Sequence, residues 1–242
     1  MACHGGPDIV EDNLVFCLDA GNTKSYDDSE SGFPGGGGTW NDISGKGHTA
    51  TINGATFNSG NGGCFIFDGT NDYAKIDDSS DFLMGTGSFT EEAWHKRDGN
   101  TTWEAPFARY ISTSWGGLWI NNSGNFYPYH YTEPGGFISF PTGDAVGTDW
   151  VHHVTTTTNT GSAVTIKVYK NSVLQDTQST TVSGWQPKGT SVGDSDIYIG
   201  GMFGTTYWYD GKIAICRLYK GKALSAAEVK QNFNANRGRF NL

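Results

Sequence analysis

The sequence lacks long apolar runs, secretion signals and paired cysteines. No stretch of its 242 residues approaches the ~20 consecutive apolar residues of a membrane-spanning helix, so we expect no membrane partner. Residues 1–13 contain neither the basic nor the apolar region of a signal peptide. The four cysteines are too few and too scattered for a disulfide framework, and no Cys/His spacing indicates zinc. These absences favour a free-thiol protein assembled in a reducing cytoplasm.

Basic residues are also scarce. The chain has 16 Lys and Arg against 25 Asp and Glu, a net charge of −9, and the basic residues are scattered singly. Binding to nucleic acid depends mostly on clustered cations that neutralise phosphates, so we expect no nucleic-acid partner. The acidity by itself is consistent with solubility alone.

Glycine and aromatic residues are abundant instead. The 35 glycines and only 7 prolines indicate many tight turns, and an aromatic content of 14% is far above that of disordered chains. Short apolar or alternating runs lie between the turn residues, which is typical of β-strands. Strands are predicted at Leu14–Leu18, Thr49–Ile52, Cys64–Phe67, Tyr73–Ile76, Ser88–Lys96, Trp150–Thr158, Val164–Tyr169, Val173–Val182, Ile197–Ile199 and Trp208–Tyr219.

One helix is predicted near the C-terminus. Ser225–Glu228 has the pattern of a capping box, in which the Ser side chain and the Glu side chain each satisfy a backbone amide. Val229 and Phe233 follow on one apolar stripe. The dipeptide Arg237–Gly238 is expected to end the helix, with a cation and a left-handed glycine cap.

Many strands followed by one short helix predict an all-β fold, a β-sandwich or a β-barrel, and not an α/β sheet. We find no linker and no internal repeat. The chain is therefore divided into an N-terminal arm, residues 1–12, and one sandwich domain, residues 13–242. The large side chains of Trp94 and Trp150 are predicted to fill the space between the two sheets.

Six segments, taken in order, form a recognisable pattern: Asn13–Asn22 (NLVFCLDAGN), Thr39–Gly47 (TWNDISGKG), Phe65–Tyr73 (FIFDGTNDY), Ser88–Trp94 (SFTEEAW), Trp150–Val154 (WVHHV), and Gly211–Ala214 with Arg217–Tyr219 and Leu224–Glu228. Together they resemble the laminin-G-like jelly-roll domains of the concanavalin A-like lectin/glucanase superfamily. The resemblance implies a two-sheet antiparallel β-sandwich of the jelly-roll kind. It also implies that the two terminal strands pair, which brings Leu14–Leu18 beside Ile213–Tyr219 and Cys17 near Cys216.

The closing segment Gln231–Phe240 (QNFNANRGRF) is similar to the ends of virion surface proteins of bacteriophages, including those of cyanobacteria. This resemblance implies a capsid decoration, a fibre or a tail adhesin that docks onto capsid or tail proteins. It implies a location on the virion surface, and the protein could form a homo-oligomer. Fold analogy does not determine function, so these remain expectations.

The superfamily includes glycoside hydrolases, which need two carboxylates close together on one face. Glu91 and Glu92 are adjacent in a strand and therefore point to opposite faces. His152 and His153 are also consecutive, so one faces in and one faces out. We find no carboxylate pair, P-loop or Ser/His/Asp order, and we expect a non-enzymatic protein with no catalytic residues.

Calcium is the one cofactor that the resemblance implies, because laminin-G-like and lectin domains often hold it through Asp, Asn and carbonyl oxygens. The candidate ligands are Asp68, Asn71 and Asp72, with Asp19 and Asp210 as neighbours in space. The alternative is that these residues accept backbone hydrogen bonds in turns.

Aromatic residues crowd into residues 103–131 and recur near residues 185 and 207–209. A sandwich core uses one face of each strand, and this density exceeds that need. The surplus could stack on the sugars of a cell-surface polysaccharide or contact a partner protein, although ordinary packing would also use some of it. The candidate contact residues are Trp103, Trp115, Trp119, Tyr127, Tyr129, Tyr131, Trp185 and Trp208.

Two functions therefore stay open. The first is a structural virion surface protein that acts by protein–protein docking and by binding host glycans. The second is a stand-alone carbohydrate-binding lectin module. A glycoside hydrolase is a third and weaker alternative.

Overall fold

The computed structural model describes residues 8–28, 38–99, 102–111, 114–133, 136–139, 142–181, 183–187, 196–202 and 207–242. They form two antiparallel sheets and one short C-terminal helix, which confirms the predicted sandwich. The strands are β1 (Leu14–Asp19), β2 (Thr39–Trp40), β3 (Ala50–Asn53), β4 (Thr56–Asn58), β5 (Cys64–Asp68), β6 (Tyr73–Ile76), β7 (Phe89–Arg97), β8 (Glu104–Ile111), β9 (Ser114–Ile120), β10 (Tyr129–Glu133), β11 (Gly136–Ser139), β12 (Trp150–Asn159), β13 (Val164–Lys170), β14 (Val173–Thr180), β15 (Gln186–Pro187), β16 (Asp196–Ile199) and β17 (Asp210–Lys220).

The first sheet has the strand order β14-β13-β12-β7-β17-β5-β4, with β1 also paired to β17. The second sheet has the order β11-β10-β9-β8-β16-β6-β3-β2, with β15 paired to β10. As predicted, the terminal strands pair, and Leu18 lies opposite Cys216. Cys17 and Cys216 nevertheless belong to different clusters on the two faces of the first sheet, and both are free thiols.

The main core lies between the two sheets. It contains one face of each long strand, as the alternation of a β-strand requires; Phe16 and Phe65 from the first sheet meet Phe107 and Leu118 from the second. Phe16 stacks on Phe107 with ring centroids 5.9 Å apart. Full burial of a large apolar side chain contributes ~1.5–3 kcal/mol, so this layer is the main source of stability.

Part of the opposite face of the first sheet is also buried, because the C-terminal helix α1 (Ala226–Asn236) covers it. Trp94 stacks on Phe233 and Phe240 with centroid distances of 5.6 and 4.5 Å, and Trp150 contacts Phe240 at 4.6 Å. The prediction that Trp94 and Trp150 fill the space between the sheets is therefore wrong. Strand alternation assigns two residues to the same face, but it does not say which face of the sheet meets the other sheet.

Adjacent strand residues do separate to opposite faces, as predicted. Glu91 and His153 lie between the sheets, where they meet Arg109 and Asp144. Glu92 and His152 lie beneath the helix and contact each other. All of these glutamate and histidine side chains are fully buried.

The helix begins as the sequence predicts and ends differently. The Ser225 hydroxyl accepts a hydrogen bond from the Glu228 amide, and the Glu228 carboxylate accepts one from the Ser225 amide. Gly238 does not form a left-handed cap. The helix instead continues into a 3₁₀ turn, Arg237–Phe240, after which Asn241 takes the left-handed conformation at φ 58°, because Phe240 must still reach Trp94.

Residues 8–12 of the predicted arm contact the sandwich. The Val10 amide donates to Asn232 Oδ1 at 2.8 Å, and Tyr219 OH donates to the Val10 carbonyl at 2.9 Å. Residues 1–7 lie outside the described residues. In the part of the chain that the structure describes, no helix is long and apolar enough to cross a membrane.

Candidate functional site

The outer face of the second sheet carries the surplus aromatic side chains. Strand alternation places inner residues such as Leu118 in the core and their neighbours on the opposite, outer face. We call this surface the aromatic face. Its members are Tyr73 from β6, Ala105 and Ala108 from β8, Trp119 from β9, Tyr129 from β10 and Tyr198 from β16, joined by Trp103, Tyr127, Met202 and Tyr207 from the connecting segments.

A cavity of about 170 Å³ lies in this face. It is lined by Trp103, Trp119, Tyr129 and Tyr207. Trp119 is only 2% exposed, and the other three side chains are half-buried. Aromatic side chains that are held by neighbours but still reached by solvent are well suited to contact a ligand.

The lining rings stand at steep angles to their neighbours. Trp119 and Tyr207 are edge-to-face, with centroids 5.3 Å apart and planes at 80°. Trp103 and Tyr127 are arranged in the same way, at 5.0 Å and 82°. This is a favoured geometry of aromatic pairs, and it gives the cavity walls in more than one orientation.

Small residues lie beside the aromatic rings. Ala105 and Ala108 lie in the same cluster as the aromatic rings. Gly117 precedes Trp119 by two residues and has φ 131°, and a Cβ atom there would lie 2.4 Å from the Phe107 carbonyl oxygen. Only glycine fits this position, because β8 and β9 approach closely where β9 carries Trp119.

Hydrogen-bonding groups of the face are mostly paired. Tyr127 OH donates to Ser139 Oγ at 3.1 Å. Burial and a hydrogen bond with Tyr131 raise the pKa of Tyr129, so its hydroxyl remains protonated at neutral pH. Trp119 Nε1 is the exception: this buried donor has no acceptor among the described residues.

The positive charge of Lys75, beside the aromatic face, is compensated by two aspartates. Lys75, two residues after Tyr73 on β6, lies 2.9 Å from Asp77 Oδ1 and 3.1 Å from Asp196 Oδ2. Burial lowers the pKa of Lys75, but the hydrogen bonds to the two aspartates outweigh it and raise the pKa. The ammonium group is therefore already neutralised by two carboxylates.

The structure brings together most of the predicted contact residues. Trp103, Trp119 and Tyr129 line the cavity, Tyr127 packs on Trp103, and Tyr131 packs on Tyr129 with centroids 5.4 Å apart. Trp208 lies on the same surface and stacks on Tyr73 at 6.1 Å, but it does not line the cavity. The side chain of Trp115 lies outside the described residues.

The prediction that Trp185 contacts a glycan or a partner is wrong. It is 1% exposed and belongs to the core between the sheets, where its ring is parallel to Phe89 at 6.4 Å. Its side chain is not available to a glycan or a partner. Conversely, the predicted contact residues do not include Tyr73 and Tyr198, which lie on the aromatic face. Each alternates with core residues of its strand, and this period-2 pattern could have identified them.

The predicted calcium ligands are turn residues. Asp68 Oδ1 accepts from the Thr70 amide at 2.8 Å, and Asp72 Oδ2 accepts from the Asp68 amide at 3.0 Å. Asn71 is exposed in the same turn. The predicted neighbours are Asp19, which pairs with Arg239 at 2.6 Å, and Asp210, which lies opposite Asp68.

Within the described ranges, no group of three or more His, Cys, Asp or Glu side chains is arranged to hold a metal ion. The hydrogen bonds of Asp68 and Asp72 are those expected of the turn alternative. Calcium binding stays a prediction, and an unchanged melting temperature in calcium and in chelator would reject it.

The buried glutamates Glu91 and Glu104 form ion pairs with buried arginines. Glu91 pairs with Arg109 at 3.1 Å, and Glu104 pairs with Arg97. Burial raises the pKa of both carboxyl groups against the effect of their arginines. Neither glutamate lines the aromatic cavity, and both are fully buried, so neither is placed as an acid or base for a ligand there.

The fold and the sequence together place the chain in a known superfamily. The two-sheet sandwich is a fold found in both enzymes and binding domains. Residues 68–230 match the Laminin_G_3 family, described as the concanavalin A-like lectin/glucanases superfamily. The chain belongs to this superfamily. No curated protein sequence matches it significantly.

Several solved structures share the fold. The binding domain of Paraclostridial Mosquitocidal Protein 1 is 16% identical with a TM-score of 0.66, over 93% of this chain and 52% of that one. A Trypanosoma rangeli sialidase is 18% identical with a TM-score of 0.63, over 91% and 32%. Domain 4 of AbnA, an extracellular arabinanase of Geobacillus stearothermophilus solved with arabinotriose, is 16% identical with a TM-score of 0.62, over 92% and 98%. The chain thus spans about half or less of the first two proteins.

Proposed function

We propose that this chain is a non-enzymatic carbohydrate-binding domain and that the aromatic cavity is its binding site. The observation that carries the proposal is the cavity itself, about 170 Å³ lined by Trp103, Trp119, Tyr129 and Tyr207. Concave, mostly apolar sites with a few polar groups are the usual form of small-ligand sites. The C–H faces of a sugar would pack on the rings, and its hydroxyls would meet the indole and phenol groups.

The fold neighbours are consistent with this proposal. One of them, the AbnA domain, was solved with arabinotriose and matches this chain over 98% of its own length. Two others are the binding domains of Paraclostridial Mosquitocidal Protein 1 and of botulinum neurotoxin serotype D. Their identities of 15–16% support a shared fold only, so the proposal depends on the cavity.

A binding role is favoured over hydrolysis by the positions of the carboxylates. Retaining hydrolysis needs two carboxyl groups ~5–5.5 Å apart that both reach the substrate. The glutamates of β7 and β8 are buried and paired with arginines, and they lie away from the aromatic face. The described side chains that line the cavity are all aromatic.

A glycan array probed with the full chain tests the proposal. We expect binding to a restricted set of glycans and no release of reducing sugar on prolonged incubation with them. Failure to bind any glycan, including bacterial surface polysaccharides, would overturn the binding role. Released sugar that persists after repeated purification would overturn the non-enzymatic role.

We further propose a virion surface as the setting, with capsid or tail proteins as partners. Support comes from the resemblance of the closing segment and from β14, an edge strand of the first sheet where Val173 and Leu174 are 60% and 48% exposed. The closing segment also has a structural use, because Arg239 pairs with Asp19 and Phe240 stacks on Trp94. Mass spectrometry of purified virions and light scattering of the isolated chain test the location and the homo-oligomer.

A further inference from the structure

We infer that the cavity takes a single, uncharged sugar residue, at the end or on a branch of a glycan, rather than a stretch of an extended polysaccharide. This inference depends on the proposed carbohydrate-binding function and specifies its ligand. It follows from the size of the cavity, the orientation of its walls and the charge around it.

The size limits the ligand to about one ring. Sites for drug-sized ligands measure ~300–1,000 Å³, and this cavity measures about 170 Å³. A chain of several sugar residues would have to leave most of its rings outside. The cavity therefore selects one residue, and the rest of the glycan lies in solvent or against the rim.

The orientation of the cavity walls favours one enclosed sugar residue over a row of stacked residues. A flat row of coplanar aromatic rings would let successive sugars stack side by side. Here two of the lining rings, Trp119 and Tyr207, meet at 80°. A sugar that stacks on one wall meets the edge of the next, and this arrangement encloses one residue rather than extending along a chain.

The charge around the cavity favours a neutral residue. The lining side chains that the structure describes carry no charge. The lysine of the aromatic face, Lys75, already contacts Asp77 and Asp196, so it has no free charge for a sugar carboxylate. The net charge of −9 adds a long-range repulsion of anionic glycans.

Titration calorimetry with the full chain tests the size and charge of the ligand. The probes are arabinose, glucose, galactose and mannose oligomers of one to four residues, with sialic acid and galacturonic acid as the charged sugars. For the series that binds, we expect the affinity of the single residue and of the tetramer to differ by less than about tenfold, and we expect no binding of the acids.

An affinity that rises more than about tenfold with each added residue, or a preference for the acids, would overturn this inference and leave carbohydrate binding intact. No binding of any probe, together with a blank glycan array, would overturn both.

Discussion

Replacement of Trp103 by alanine is expected to weaken glycan binding at least about thirtyfold, the effect of losing a dominant aromatic contact of ≥ 2 kcal/mol. Trp103 is half-buried, lines the cavity and is held edge-to-face on Tyr127 at 5.0 Å. The substitution removes a wall of the cavity and leaves the core between the sheets untouched. Calorimetry with a glycan selected on the array gives the ratio of affinities.

The matched control is Trp208→Ala. Trp208 is also half-buried on the aromatic face, where it stacks on Tyr73, but it does not line the cavity. We expect its affinity to stay within about threefold of the native value, a difference below 1 kcal/mol. If Trp208→Ala lost as much affinity as Trp103→Ala, the binding surface would be the whole face and not the cavity.

The second large effect concerns stability. Arg217→Ala should lower the free energy of unfolding by about 3–5 kcal/mol, because it leaves a buried charge without its partner. Arg217 is 1% exposed and contacts the carboxylate of Glu92, Cys17 Sγ at 3.4 Å and Asn236 Oδ1 at 2.8 Å. Urea unfolding measures the loss, and a second substitution, Glu92→Leu, should restore much of it by removing the unpaired carboxylate.

Acid should weaken the native protein through the same pair. Burial would raise the pKa of Glu92, but Arg217 and His152 lower it from 4.5 to about 2. A carboxyl group with a lowered pKa in the folded state stabilises the fold above its unfolded pKa, and this contribution is lost as the pH falls through the folded value. The Glu92 contribution should therefore be complete above pH 4.5 and disappear towards pH 2.

Glu92→Gln is the comparison for this acid effect. Unfolding free energies of both proteins, measured across the acid range, should converge as the pH approaches 2. A difference between them that stays constant over the whole range would contradict the role of the Glu92 charge.

The period-2 pattern predicted most strands of the first sheet well, and it predicted the opposite faces of Glu91 and Glu92. It did not reveal β8, β9 and β10. In those strands Pro106, Gly116 and Gly117 interrupt the apolar pattern, and aromatic side chains occupy both faces. The aromatic composition therefore predicts the site, but the sequence pattern does not predict the close approach of β8 and β9 at Gly117.

The location of Trp94, Trp150 and Trp185 could not be predicted for a different reason. Sequence patterns identify which residues share a strand face, but the cover of that face is a long-range property. The C-terminal helix shields Trp94 and Trp150, which buries a second face of the first sheet. Trp185 immediately precedes β15, a short strand that pairs with β10, and enters the core between the sheets.

The contacts of residues 8–12 with the C-terminal helix have a consequence for how the domain can be displayed. Both ends of the described chain leave from the first-sheet side, because Gln231 Nε2 donates to the Asp8 carbonyl at 2.7 Å and the helix itself packs on that sheet. The cavity opens on the opposite side of the sandwich. In the function proposed above, copies attached to a surface on the first-sheet side would direct the cavity away from that surface, and several weak single-sugar contacts would add up to strong attachment through avidity.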